Sequence, residues 1–239
     1  MKPSRFWLIS AAALAASAAT LALGFWQWGR AHQKIALQEA IEARHALPAV
    51  DVRAVLDAPQ SPALLHRPVR LRGEWVPERT VYLDNRQMQG RQGFYVVTPL
   101  RIEGSPAVIA VQRGWVPRNF EHREQLPPVS TPAGVVDVQG RLAPPPAKLY
   151  DFGAAGQGPI RQNLDLAAFR DETRLPLLTA LSVQQLGPPS EGLLRDWLQA
   201  GSGAETNYGY AFQWWAMSAL IATLYVWFQF IAPRRRRPA

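Results

Sequence analysis

The 239 residues contain no cysteine and carry 26 basic against 18 acidic side chains, a formal net charge of +8 with a pI near 10.4. Without cysteine there are no disulfides, thiolate metal sites or cysteine nucleophiles. Lys2 and Arg5 precede the first apolar run and Arg234, Arg235, Arg236 and Arg237 follow the last; setting those six aside leaves a balance of only +2, so the basicity marks membrane flanks and no nucleic-acid partner is expected.

The first element is the uncharged run 6–28, 23 residues long. As a helix it reaches about 34 Å, enough for about 30 Å of hydrocarbon. Lys2, Arg5 and "AASAA" at 15–19 have the look of a signal peptide. The apolar run continues, however, through Leu21, Leu23, Phe25, Trp26 and Trp28, further than a cleavable signal needs, which favours an uncleaved anchor. Small residues recur at Ala11, Ala15 and Ala19 and at Ala12, Ala16 and Thr20. That stripe is expected to receive a bulkier helix. Trp7, Trp26 and Trp28 lie near the ends of the run, as interface anchors do.

After Gly29 the pattern stays helical but turns polar, and the helix is expected to end before Pro48. From Pro68 the period becomes two. "VRLRGEWV", "TVYLDNRQM", "GFYVVTPLRI", "AVIAVQRGWV" and "GVVDVQGRLA" read as five strands of an antiparallel meander curled into a small barrel or sandwich. Gly73, Gly114 and Gly140 sit late in strands, where bulges or corners occur. "APPPAKLYDFGAAGQG" at 143–158 reads as an exposed loop, and "NLDLAAFRDET" as a short helix capped by Asn163 or Asp165. A last strand, "TALSVQQL", and a linker lead to a second uncharged run, 211–232, rich in Trp, Tyr and Phe.

Two spans put both termini on one side, and the arginine block assigns that side to the cytoplasm. The expected layout is a cytoplasmic N-terminus 1–5, transmembrane helices 6–28 and 211–232, a periplasmic β-rich domain 29–210, and a basic cytoplasmic tail 233–239. Such a chain is a multi-pass protein of the cell inner membrane.

Chemistry is not apparent. His32, His45, His66 and His122 read as solitary surface imidazoles without metal-ligand spacing. No Walker loop, dinucleotide fingerprint or Gly-x-Ser-x-Gly turn occurs, so a protein that is not an enzyme, with no catalytic and no metal residues, is expected.

Four strings stand in order along the chain: "GFWQWGRAHQK" (24–34), "GFYVVTPL" (93–100), "VQRGWVP" (111–117) and "GYAFQWWAMSAL" (209–220). Together with the two-span layout they resemble the surfeit locus protein 1 family. The resemblance implies a membrane factor for assembly of cytochrome c oxidase in the biogenesis of the respiratory chain. Its partners would be the oxidase core subunit, which it would stabilise, and the haem a synthesis machinery, with haem a as a transient cargo. The resemblance implies, for bacterial relatives, haem binding linked to a histidine just ahead of the second span; the matching position here is Asn207, a poor axial ligand beside imidazole. Arg86 and Arg113 resemble family positions. Arg113 reads as a partner-contact or barrel-locking residue, and Trp115 beside it as a partner contact.

On a helix Asn207, Tyr210, Gln213, Trp214 and Met217 share a face, as do Gln27, Arg30 and Lys34 on the first span. If these faces meet at the outer membrane surface, they form a mouth suited to a porphyrin, with an apolar slot for the ring and cations for its propionates. Read more plainly, the same residues are interface aromatics, an interhelical amide and cations touching lipid phosphate. The rival function is a membrane-tethered periplasmic interaction or sensory module without haem handling.

Overall fold

Strict alternation along residues 68–75 dictates a strand with one buried face, and β1 (Pro68–Trp75) buries Val69, Leu71, Gly73 and Trp75 while exposing Arg70, Arg72 and Glu74. In the computed structural model the remaining strands are β2 (Val81–Met88), β3 (Arg91–Ile102), β4 (Val108–Pro117), β5 (Val135–Ala143), β6 (Ile160–Arg161) and β7 (Ser182–Gln185). Residues 3–119, 121–122, 125–150, 158–197 and 203–232 are described. The basic tail, residues 198–202 of the linker ahead of the second span and residues 151–157 of the long loop lie outside them.

The seven strands form one sheet in the order β1-β5-β7-β4-β3-β2-β6, and a further pairing of β1 with β3 closes it. The closed ring is thus β1-β5-β7-β4-β3, with β2 and β6 continuing from β3. The alternatives of barrel and sandwich resolve to a barrel.

The expected wholly antiparallel sheet does not form, because β7 runs parallel to β4 and β6 parallel to β2. The first departure is geometric: five strands cannot alternate in direction all the way around a closed ring, so one neighbouring pair must be parallel. At Gly73, β1 pairs with Ile102 of β3 and Val136 of β5. A Cβ there would lie 2.1 Å from the Arg101 carbonyl oxygen, so only glycine lets the backbones approach at this corner.

The barrel interior holds Val69, Leu71, Leu100, Ile102, Ile109, Val111, Val138, Leu142 and Val183, with Val55 of α2 (Val52–Asp57) packed against them. A second layer lies outside, where α3 (Leu166–Thr173) sets Leu166 and Phe169 against Val81, Leu83, Val97 and Ala110. This explains why nine consecutive residues of β4 are buried: both its faces are covered. Asp165 caps α3, accepting from the Ala167 and Ala168 N–H groups at 3.0 and 3.2 Å. Asn163, the other candidate cap, instead clasps the backbone of Leu149 through both amide atoms.

Two long helices complete the chain. α1 runs unbroken from Pro3 to His45, and α4 (Ala204–Val226) continues through a π-turn at Trp227–Ile231. Both are long and apolar enough to cross a membrane. Neither is the core helix of a globular domain, since only 11% and 0% of their most apolar windows is buried. The chain divides into two units: Ile41–Leu198, which holds the barrel, and Met1–Ala40 with Gln199–Ala239, which holds the helix pair.

Candidate functional site: a polar and aromatic collar on the helix pair

Ser10, Ala13, Ser17, Thr20, Gly24, Gln27, Ala31 and Lys34 of α1 are spaced alternately by three and four residues, and all are buried or half-buried. Facing them on α4 are Asn207, Tyr208, Ala211, Trp214, Trp215, Ser218, Ile221 and Tyr225. The mean spacing of 3.5 is that of helices wound left-handedly about each other. Hydrogen bonds tie the seam: the Ser218 hydroxyl donates to the Ser17 carbonyl at 3.0 Å, and Ser10 meets the Tyr225 hydroxyl at 2.6 Å.

The bulky helix does pack on small residues of the first, but not on the expected ones. Ala11, Ala12, Ala15, Ala16 and Ala19 are exposed. A row spaced by four drifts around the helix relative to a 3.5-residue seam, so of those rows only Thr20 stays in the contact.

At the end of the pair where α4 begins, the seam turns polar. Asn207 stands between Gln27 and Lys34, one heptad apart on α1. Its Oδ1 accepts from Lys34 Nζ at 2.8 Å, and its Nδ2 donates to Gln27 Oε1 at 2.6 Å. Lys34 also donates to the Gly203 carbonyl at 3.4 Å, at the N-cap of α4. Beside this lock stands an aromatic wall. The Tyr208 hydroxyl and His32 Nδ1 are 3.0 Å apart, and the His32 and Trp28 rings are 4.6 Å apart. Trp215 meets Phe25 and Trp28 edge to face, with centroids 5.4 and 6.4 Å apart. Its indole lies against Gly24, where a Cβ would come within 2.2 Å of Nε1.

Of the residues proposed for the mouth, Gln27, Lys34, Asn207 and Trp214 lie in the seam. Arg30, Tyr210, Gln213 and Met217 face outward; among the described residues Arg30 reaches only Gln33, at 3.5 Å. The face on α4 is therefore turned from the expected one: Tyr208, not Tyr210, looks toward α1. His32, Tyr208, Trp215 and Gly24 were missed. Of these only Gly24 lies on the 3.5-residue spacing of small and polar residues from Ser10 to Lys34, the signal that could have found it.

A family model described as the SURF1 family matches residues 14–219, a stretch that includes the collar and the barrel. The chain belongs to the SURF1 family. Surfeit locus protein 1 of Arabidopsis thaliana is 32% identical over 120 residues, 45% of this chain and 33% of that protein. The chain thus matches about a third of the length of that curated relative.

In this SURF1-family barrel Arg113, read as a partner-contact or barrel-locking residue, and Trp115, read as a partner contact, are both buried, at 0% and 1% exposure. Neither side chain is presented to a partner. The Arg113 guanidinium donates to Thr131 Oγ1, the Ser130 carbonyl and Glu191 Oε2 at 2.6–2.8 Å, and lies over the Trp75 ring at 4.7 Å. Arg195 closes the same network, donating from Nε to the Arg113 carbonyl at 2.8 Å and standing 3.5 Å from Glu191. One carboxylate thus serves two buried guanidinium groups, a fastening between β4 and the chain that follows β7. Trp115 donates its indole N–H to the Arg86 carbonyl at 2.9 Å. Arg86 is itself buried, its guanidinium donating to the Gln162 carbonyl at 2.9 Å. These buried arginines are interior fasteners.

Proposed function

We propose that this SURF1-family chain is a membrane-anchored, non-enzymatic assembly factor for cytochrome c oxidase that handles haem a and stabilises the oxidase core subunit. In this reading α1 and α4 cross the inner membrane, both termini are cytoplasmic, and the barrel stands on the periplasmic side. Its partners are the core subunit, the haem a synthesis machinery and membrane lipid.

The observation that carries the reading is the collar. An interhelical lock of Gln27, Asn207 and Lys34 adjoins a wall of Phe25, Trp28, His32, Tyr208 and Trp215. Flat aromatic faces suit a porphyrin ring, and the cation Lys34 suits a propionate. Asn207 does not fit the role of iron ligand. Its amide is used at both ends, and amide oxygen is a weak ligand for haem iron. The chain's own part is to bind and orient; the iron and porphyrin are cargo.

A second reading, a tethered interaction module without haem handling, draws on the same amide, which suffices as a purely structural lock between helices. Deleting the gene and recording reduced-minus-oxidised spectra of the membranes separates the two. Loss of the a-type signal with other cytochromes intact is the expected outcome. An unchanged a-type signal would overturn the assembly role.

A further inference from the structure

The helix pair leaves one metal-ligating side chain in an arrangement that the lock does not use. His32 is exposed on α1, one turn beyond Trp28, and its Nδ1 is held by the Tyr208 hydroxyl at 3.0 Å. Among the described residues Nε2 has no protein partner. The ring rests beside the Trp28 indole and edge-on to Tyr208, with centroids 4.6 and 5.9 Å apart, so two aromatic neighbours limit its rotation. Trp28 in turn contacts Trp215, which joins the imidazole to the larger aromatic wall.

A histidine with one ring nitrogen fixed by a hydrogen bond and the other open is how protein metal ligands are usually presented. The bond made by the first nitrogen sets the tautomer and aims the second. Since Asn207 is fully engaged with Gln27 and Lys34, the imidazole is the strongest iron ligand that the collar offers.

We propose that His32 is the axial ligand through which this chain holds haem iron, with Tyr208 as the residue that positions it; this rests on the haem-handling reading above. The neutral imidazole gives the Nε2 lone pair to iron, while its Nδ1–H donates to the Tyr208 hydroxyl oxygen. No proton or electron is gained or lost by the protein in that step. Trp28, Tyr208 and Trp215 would supply apolar surface for the porphyrin, and Lys34, already at the collar, would supply a counter-charge for a propionate. The iron-binding role thus falls to the first helix, while the usual histidine position on the second serves as a helix lock.

The test uses the full-length protein in detergent, titrated with ferric protoporphyrin IX and followed by absorption and electron paramagnetic resonance spectra. The wild-type chain is expected to show the spectrum of an imidazole-ligated haem. His32→Ala loses that signature and at least about tenfold in affinity, as removal of a ligand does, and added free imidazole restores the spectrum. Tyr208→Phe keeps the ligand but binds about tenfold more weakly, in the range for loss of an outer-sphere partner. A merely structural role for His32 predicts an unchanged spectrum in whatever haem remains bound. If His32→Ala binds haem with the wild-type spectrum, His32 is not the ligand, although haem handling stands. If the signature follows Tyr208 alone, the ligand is the phenolate and the assignment is overturned. If the folded wild-type chain binds no haem, this assignment and the reading beneath it both fail.

Discussion

Asn207 shows how much one amide can decide. Within lipid an interhelical hydrogen bond contributes only about 0.6 kcal/mol on average, but Asn207 makes two at one level of the seam. Asn207→Leu removes both and leaves Gln27 and Lys34 without their partner. We expect a loss of about 1–2 kcal/mol in the stability of the helix pair, read as a lower midpoint of thermal aggregation for the detergent-purified chain. Tyr210→Ala, on an exposed face of the same turn, should leave that midpoint in place. Glu191 is the corresponding residue in the barrel. Replacing it by Gln strands Arg113 and Arg195 as buried charges, a loss on the order of 3–5 kcal/mol, and urea unfolding followed by tryptophan fluorescence should show it. A variant that unfolds at the wild-type midpoint would mean that the two guanidinium groups need no anion.

At the scale of elements, legibility tracked the distance between interacting parts. β1 to β5 were readable because alternation is written in adjacent residues, and α3 because Asp165 caps it two and three residues ahead of the groups it satisfies. β6 was not, since two residues leave no period. Nor could the solitary-imidazole reading foresee His66, which is half-buried beside β5.

Burial, then the positive charges of Arg141 and Arg44, hold the His66 imidazole below its ordinary pKa of 6.5. The unfolded chain therefore takes up that proton more readily than the folded one. The stabilisation from neutral His66 is full above about pH 6.5 and is lost as pH falls from there toward the folded value. Asn tolerates the left-handed backbone found at this position, where φ is 67°. His66→Asn should consequently flatten the decline in stability below pH 6.5 without abolishing the fold, as urea midpoints measured from pH 5 to 8 would reveal. A decline of unchanged steepness would assign it to other groups.

For the whole molecule, the two units present different surfaces. The barrel and its outer layer draw their core from residues within Ile41–Leu198. That segment expressed alone is expected to be soluble and to melt in one cooperative transition by circular dichroism; a gradual, non-cooperative loss of signal would show that the barrel depends on the helices. The helix pair instead exposes Trp7, Leu8, Leu14, Phe212 and Phe228 at 65–74%, apolar surface that water would not tolerate and lipid would.

Local chemistry by itself determined the two apolar helices, the five main strands and the short helix α3, because helical and strand periods and caps are set by neighbours along the chain. It also placed polar groups at the mouth of the second helix. Only the tertiary structure decided that the sheet closes, since an odd ring compels a parallel pair that no single strand records. Only it chose Asn207 for Gln27 and Lys34, and His32 for Tyr208, because residues more than 170 positions apart meet through the winding of two helices, and a rotation of one position would have selected others.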